Sequence, residues 1–183
     1  MEVSEKKIIE LQLDRKVNNF LKVVKYCPFD YPAVVLVNPY KDSLPAPTIY
    51  WLTCPYLTYE VDRLESETNL IDDLGEALKK DNKFKEKMEK AHNRYAEKRR
   101  KILSDKQLSQ AEEVSEDLFN TLKFSGVGGI KDFKGIKCLH THLADYLAGA
   151  DNPVGEIVFS KVDWPENCKI CSERVDEFES SSN

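Results

Sequence analysis

Phe20-Leu21-Lys22-Val23-Val24-Lys25-Tyr26-Cys27-Pro28-Phe29-Asp30-Tyr31-Pro32-Ala33-Val34-Val35-Leu36-Val37 is the stretch that decides the fold. Two runs rich in Val and Leu, 20–26 and 33–37, have the length and composition of strands, and the breaker 27–32 separates them. A third such run, 48–53, follows the proline-containing loop 38–47. Six of the eight prolines lie between Pro28 and Pro55, where they punctuate the runs rather than interrupt them. An antiparallel meander is the simplest way to join the three. Its first and third strands run the same way, so Cys27 and Cys54, which close them, are expected at one end of the sheet.

After Cys54-Pro55 the pattern turns helical. Residues 56–67 carry Leu57, Val61 and Leu64 at spacings of four and three. Ala77, Phe84, Met88, Ala91, Tyr95 and Ile102 form one long apolar stripe, and 107–124 buries Leu108, Ala111, Leu118 and Leu122. A linker, 125–129, holds three of the seven glycines, and a helix over 136–148 stops at Gly149, a glycine C-cap. Near the start, Ile8, Ile9, Leu11 and Leu13 give 5–17 a shorter helical pattern. The expected fold is therefore α+β: a small three-stranded antiparallel sheet near the N-terminus covered by four or five helices. At 183 residues and 41% hydrophobic content, one domain over 1–175 is expected, with 176–183 a flexible tail.

No stretch approaches 18 consecutive apolar residues, so no membrane span is read. The charged start, Met1-Glu2-Val3-Ser4-Glu5-Lys6-Lys7, lacks the apolar core of a signal peptide, and a cytoplasmic location with reduced thiols is expected. The net charge of −5 hides a polarity. Residues 79–106 hold 12 of the 27 basic side chains and five acidic ones, so the rest of the chain is strongly acidic. Such a basic segment binds polyanions or faces its own acidic surface. Lys98-Arg99-Arg100-Lys101 could track nucleic-acid phosphates, but few aromatics interleave with it, and a solvated or internally paired face is the plainer reading.

Five cysteines, an odd number, fit no simple disulfide framework. In Cys138-Leu139-His140-Thr141-His142, a continuous helix would put Cys138 and His142 on one face and His140 elsewhere. A thiol in a first helical turn feels the positive end of the dipole, and thiolate with imidazole suits zinc or, with enough cysteines, an iron–sulfur cluster. Cys168-Lys169-Ile170-Cys171 is a CxxC, half of a zinc site or a redox dithiol; no strand precedes it and no convincing helix starts at it. The plain alternative for every one of these thiols is burial as a small hydrophobe. Gly128, Gly129 and Lys131 resemble an anion nest ahead of a helix, but match neither phosphate-loop pattern; a flexible connection is the plainer reading. His92, Tyr95 and Arg99 lie along one helical side as a further candidate cluster, although His92 has no carboxylate partner that sequence identifies.

Several strings taken in order resemble a bacterial family called domain of unknown function 501. They are Cys27-Pro28, Pro47-Thr48-Ile49-Tyr50-Trp51-Leu52-Thr53-Cys54-Pro55, Ala91-His92-Asn93-Arg94-Tyr95, Gly126-Val127-Gly128-Gly129 and Lys137-Cys138-Leu139-His140. The resemblance covers roughly 17–155 and leaves the CxxC outside. It implies a bacterial cytoplasmic protein whose marked positions include Cys27, Cys54, His92, Cys138 and His140; at His142 the chain departs from the pattern. The function expected is metal binding, as structural zinc or iron–sulfur, through Cys27, Cys54, Cys138 and His140, with Cys168 and Cys171 as alternative ligands. The competing expectation is a non-catalytic adaptor or nucleic-acid-associated protein acting through the basic helix 79–106. Neither names a reaction or a partner.

Overall fold

The computed structural model describes residues 3–41 and 44–181. β1 (Phe20–Tyr26), β2 (Pro32–Val37) and β5 (Tyr50–Leu52) form a sheet in the order β1-β2-β5, each pair antiparallel. This is the expected meander, with its third strand shorter than 48–53. A small side ribbon pairs β3 (Tyr40–Lys41) with β4 (Leu44–Pro45).

The period-two alternation of a strand explains the layers. Val34, Tyr50 and Leu52 turn into the main core, whereas Val35 and Val37 turn to the opposite face. There they pack with Ile9 and Val17, so α1 (Glu5–Leu13) covers that face. Covered on both sides, β2 is buried at every position except Leu36. The main-core face carries α2 (Pro55–Glu67), α3 (Leu70–Lys80), α4 (Asn82–Ile102), α7 (Leu139–Leu147) and α8 (Pro153–Val162). α5 (Asp105–Val114) and α6 (Glu116–Phe124) form a satellite with Tyr40 and Leu103, and α9 (Ile170–Ser181) packs on α1.

The fold class is as expected; the cover is divided into nine α-helices among the described residues rather than four or five. Two apolar stripes ran through caps. Asp81 has an extended backbone and its Oδ1 accepts the N–H groups of Lys83 at 2.8 Å and Phe84 at 3.1 Å, ending α3 and starting α4. Ser115, also extended, accepts the Leu118 N–H at 3.1 Å and splits 107–124 into α5 and α6. The helix expected over 136–148 begins only at Leu139, with Cys138 as its N-cap, and Gly149 closes it at φ +87. A helix does start at the CxxC: α9 begins at Ile170. α9 runs to Ser181, and Ser182 and Asn183 of the expected tail lie outside the described residues.

α8 lies against α7 at Gly155. A Cβ there would stand 2.3 Å from the His142 carbonyl oxygen and 2.4 Å from Tyr146 Cβ, and helix backbone cannot yield by that much. Gly155→Ala is therefore expected to destabilise by about 1–3 kcal/mol. Gly75, on α3, has nothing within 4 Å of the same added atom, so Gly75→Ala should stabilise by roughly 0.5–1 kcal/mol. Chemical denaturation of the two variants checks the contrast.

Candidate metal centre

Cys138 caps α7 in an extended conformation (φ −151, ψ 119), so it is not yet on the helix. For that reason the four-residue pairing with His142 fails, and His140 turns back to the thiol instead. His140 Nδ1 lies 3.8 Å from Cys138 Sγ and 3.6 Å from Glu65 Oε1. Its Nε2 lies 3.3 Å from the Thr58 carbonyl oxygen and 3.3 Å from Asp62 Oδ1. With Nε2–H donating to those acceptors, the Nδ1 lone pair faces the thiol and Glu65. Asp62 and Glu65 are three apart on α2 and share a face. Glu65 Oε1 also accepts the Leu139 N–H at 2.7 Å, which ties the start of α7 to α2.

The ligand atoms of Glu65, Cys138 and His140 all lie within 4.8 Å of one another, and no other group of three His, Cys, Asp or Glu does so among the described residues. All three side chains are half-buried. Burial pushes the Cys138 thiol up, but His140, with the backbone N–H and side chain of Thr141, outweighs it and holds the thiol below its usual value. Burial likewise lowers His140, and Cys138, Glu65 and Asp62 more than reverse it. Each of the two groups therefore favours the charged form of the other. Beside it opens a groove lined by Arg15, Thr48, Trp51, His140 and Thr141, with the Arg15 guanidinium 4.5 Å above the Trp51 ring.

Cys27 and Cys54 do come together, but not here. Cys27 opens the turn after β1, where its N–H donates to the Tyr31 carbonyl at 2.9 Å, and Cys54 is the N-cap of α2. Both line one small cavity with Cys168 and Cys171. Glu65 is 11 residues beyond Cys54 on α2, a rise of roughly 16 Å at about 1.5 Å per residue. The expected set Cys27, Cys54, Cys138 and His140 is therefore divided between two places. Burial raises the Cys54 thiol and, with the neighbouring thiols, pushes Cys171 up to about 11.

Compared with known families, residues 23–160 match the model of the family described as protein of unknown function (DUF501). The chain belongs to this family. No curated protein and no solved structure matches it. The DUF501 region contains Cys27, Cys54, Glu65, His92, Cys138 and His140, and Cys168 and Cys171 follow it.

Within the DUF501 region the other candidates are bound into the framework. His92 is fully buried, accepts the Val127 N–H on Nδ1 at 3.1 Å and stacks on Phe133. The Tyr95 hydroxyl accepts the Ile49 N–H at 2.8 Å, and Arg99 donates to four backbone carbonyls. The His142 ring meets Asn152 Oδ1 at 3.2 Å, not Cys138, and Asn152 in turn donates to Asp145 at 2.9 Å. In the glycine linker the N–H groups of Gly126, Gly129 and Ile130 are spent on internal turns, and Lys131 pairs with Asp117. The second half of the basic helix is similarly engaged. Arg94 binds Asp145, Lys98 stands over Tyr50, Arg100 donates to the Lys123 carbonyl and Lys101 pairs with Glu97. Asp62 and Glu65 escaped sequence reading because two carboxylates three apart look like any solvated helix face.

Proposed function

We propose that this protein binds a zinc-type ion through Cys138 Sγ, His140 Nδ1 and Glu65, with one coordination position open to the neighbouring groove. The observation that carries this is the placement of the His140 ring, whose Nδ1 faces a thiol and a carboxylate while its Nε2 meets Thr58 and Asp62. A carboxylate on the far nitrogen of a ligating histidine fixes its tautomer and raises its basicity. A mixed S/N/O donor set suits zinc. An iron–sulfur cluster needs several thiolates, and Cys138 is the one cysteine in this group. Three protein ligands with an open position is the pattern in which zinc activates a bound water, so the chemistry available is Lewis-acid assistance at the groove. The reading places the site in a single domain of a bacterial cytoplasmic protein, where thiols stay reduced.

Alkylation tests the site without knowing a substrate. Metal-loaded protein should resist iodoacetamide at Cys138, and chelation should expose a thiol that alkylates faster than ordinary cysteine at neutral pH. Peptide mass spectrometry reads both. Equal labelling with and without chelator would refute ligation by Cys138. Asp62→Asn should weaken zinc affinity by about 10–100-fold by loosening the imidazole, measured by competition with a chromogenic chelator.

The geometry gives the adaptor reading little support, since Arg94, Lys98, Arg99, Arg100 and Lys101 of α4 are engaged within the chain, which leaves Lys83, Lys87 and Lys90 among its exposed cations. No measurable binding to labelled DNA or RNA is expected in fluorescence anisotropy at physiological salt. Sub-micromolar, salt-sensitive binding lost in a Lys98→Glu/Arg100→Glu variant would reinstate it.

A further inference from the structure

We propose that Cys27, Cys54, Cys168 and Cys171 form a second and separate metal centre, a four-thiolate zinc site that fastens the C-terminal helix α9 to the sheet. The four cysteines come from three distant segments and account for every cysteine except Cys138. They meet because the topology requires it. β1 and β5 run parallel on either side of β2, which puts the turn after one and the helix start after the other at the same sheet end. The N–H groups of Thr53 and Cys54 both reach the Ala33 carbonyl oxygen, at 2.9 and 3.3 Å, which holds Cys54 against β2. α9 then delivers the CxxC, with Cys171 in its first turn and Cys168 just before it.

The lining of the cavity has the chemistry of a soft-metal pocket. Besides the four cysteines it comprises Phe29, Tyr31, Pro55, Tyr56 and Trp164, so sulfur is its only strong ligand type. Three of the four thiols are buried, and the room left is about 10 Å³. That is the space of one water-sized sphere and fits one ion, not a multi-iron cluster. Donors that stabilise bound thiolates are already in place. Gln12 Nε2 donates to Cys171 Sγ at 3.3 Å, and the buried Trp164, whose Nε1–H has no partner of good hydrogen-bond geometry, lines the same cavity. Cys54 is the N-cap of α2, at the positive end of that helix. The sulfurs are not yet at ligation spacing, since no three of them lie within 4.8 Å among the described residues. Ligation would therefore require the side chains to turn about χ1. The centre would join the CxxC, which lies beyond residues 23–160, to Cys27 and Cys54 inside that region.

Cobalt substitution tests this on the whole chain. Protein purified anaerobically, stripped and loaded with Co²⁺ should show intense thiolate-to-cobalt charge transfer and the visible bands of a tetrahedral four-sulfur site. Those bands should persist in Cys138→Ser, which removes only the Glu65/His140 centre, and vanish in Cys171→Ser. Should Cys171→Ser fail to fold, the wild-type and Cys138→Ser spectra still decide. Four-sulfur bands in both support the site, and their absence from both overturns it. A brown protein with bound iron and sulfide would overturn the zinc assignment, and a disulfide among these four cysteines in place of metal would overturn the centre itself. Loss of the bands in Cys138→Ser would show that there is one site, not two.

Discussion

Arg99→Met should destabilise the protein by about 3–5 kcal/mol, the cost of leaving several carbonyl acceptors without their donor. Arg99 is fully buried on α4. Its guanidinium donates to the carbonyl oxygens of Leu122, Thr121 at 3.2 Å, Ser125 and Pro47 at 2.8 Å. Three of those carbonyls belong to the last turn and cap of α6, where the dipole is negative; Thr121 also accepts the Ser125 N–H, whereas Leu122 and Ser125 are met by Arg99. Burial pulls Arg99 down to about 10, but it stays charged at neutral pH. One side chain therefore satisfies the end of α6 and anchors the segment before β5. Methionine would fill the space and leave the Leu122, Ser125 and Pro47 carbonyls unpaired, each costing about 1–3 kcal/mol less whatever relaxation recovers, while Thr121 keeps the Ser125 N–H at 3.3 Å. Arg99→Lys should rescue only part of the loss, because an ammonium cannot span the same fork. Since whole domains are stable by only about 5–15 kcal/mol, the urea midpoint should fall steeply. A midpoint unchanged within error would contradict the framework role.

Acid should destabilise the protein well above the range of ordinary carboxylates. His142 and His92 are fully buried, and burial depresses them to about 3 and about 4. Their rings are 6.1 Å apart, and charge on His92 further lowers His142. In the unfolded chain both titrate near 6.5. Below that pH the unfolded state binds more protons than the folded one, so stability is full above about 6.5 and falls as pH drops toward the folded values. With both imidazoles contributing, the slope is about 2.7 kcal/mol per pH unit, or on the order of 4–5 kcal/mol between pH 6 and pH 4. Asp145 opposes this near the bottom of the window, because burial raises it despite Asn152 and Arg94 and the folded state then takes up a proton of its own. His142→Leu should roughly halve the slope; Asn152 Oδ1 would keep its hydrogen bond from the Gly155 N–H at 3.0 Å. Denaturant midpoints between pH 7 and pH 4 measure it, and a flat profile in the wild type would mean that the buried rings are not held neutral.

The sheet was legible in sequence because strand signals there are strong and local: β-branched runs bounded by prolines. The meander argument then brought Cys27 and Cys54 to one end, a consequence of topology rather than of spacing. Helix boundaries were less legible. Asp81 and Ser115 cap helices, but the apolar stripe continues across both, and periodicity cannot see a cap that leaves the register intact. At Cys138 the same blindness had a chemical cost. Treated as a helical residue it pairs with His142, whereas as an extended cap it pairs with His140. Glu65 and Asp62 were beyond reach, because only the packing of α7 on α2 distinguishes them from the other acids of that helix. The CxxC was visible as a half-site, but its other half could be found only once β1, α2 and α9 were seen to converge.

Metal content of anaerobically purified protein, measured for the wild type and for Cys138→Ser and Glu65→Gln, tests the Cys138 centre most directly. The expected result is that Cys138→Ser lacks one zinc equivalent present in the wild type, that Glu65→Gln binds that equivalent more weakly, and that both variants keep the wild-type circular dichroism. A Cys138→Ser protein that is folded and retains all of the wild-type metal would contradict it.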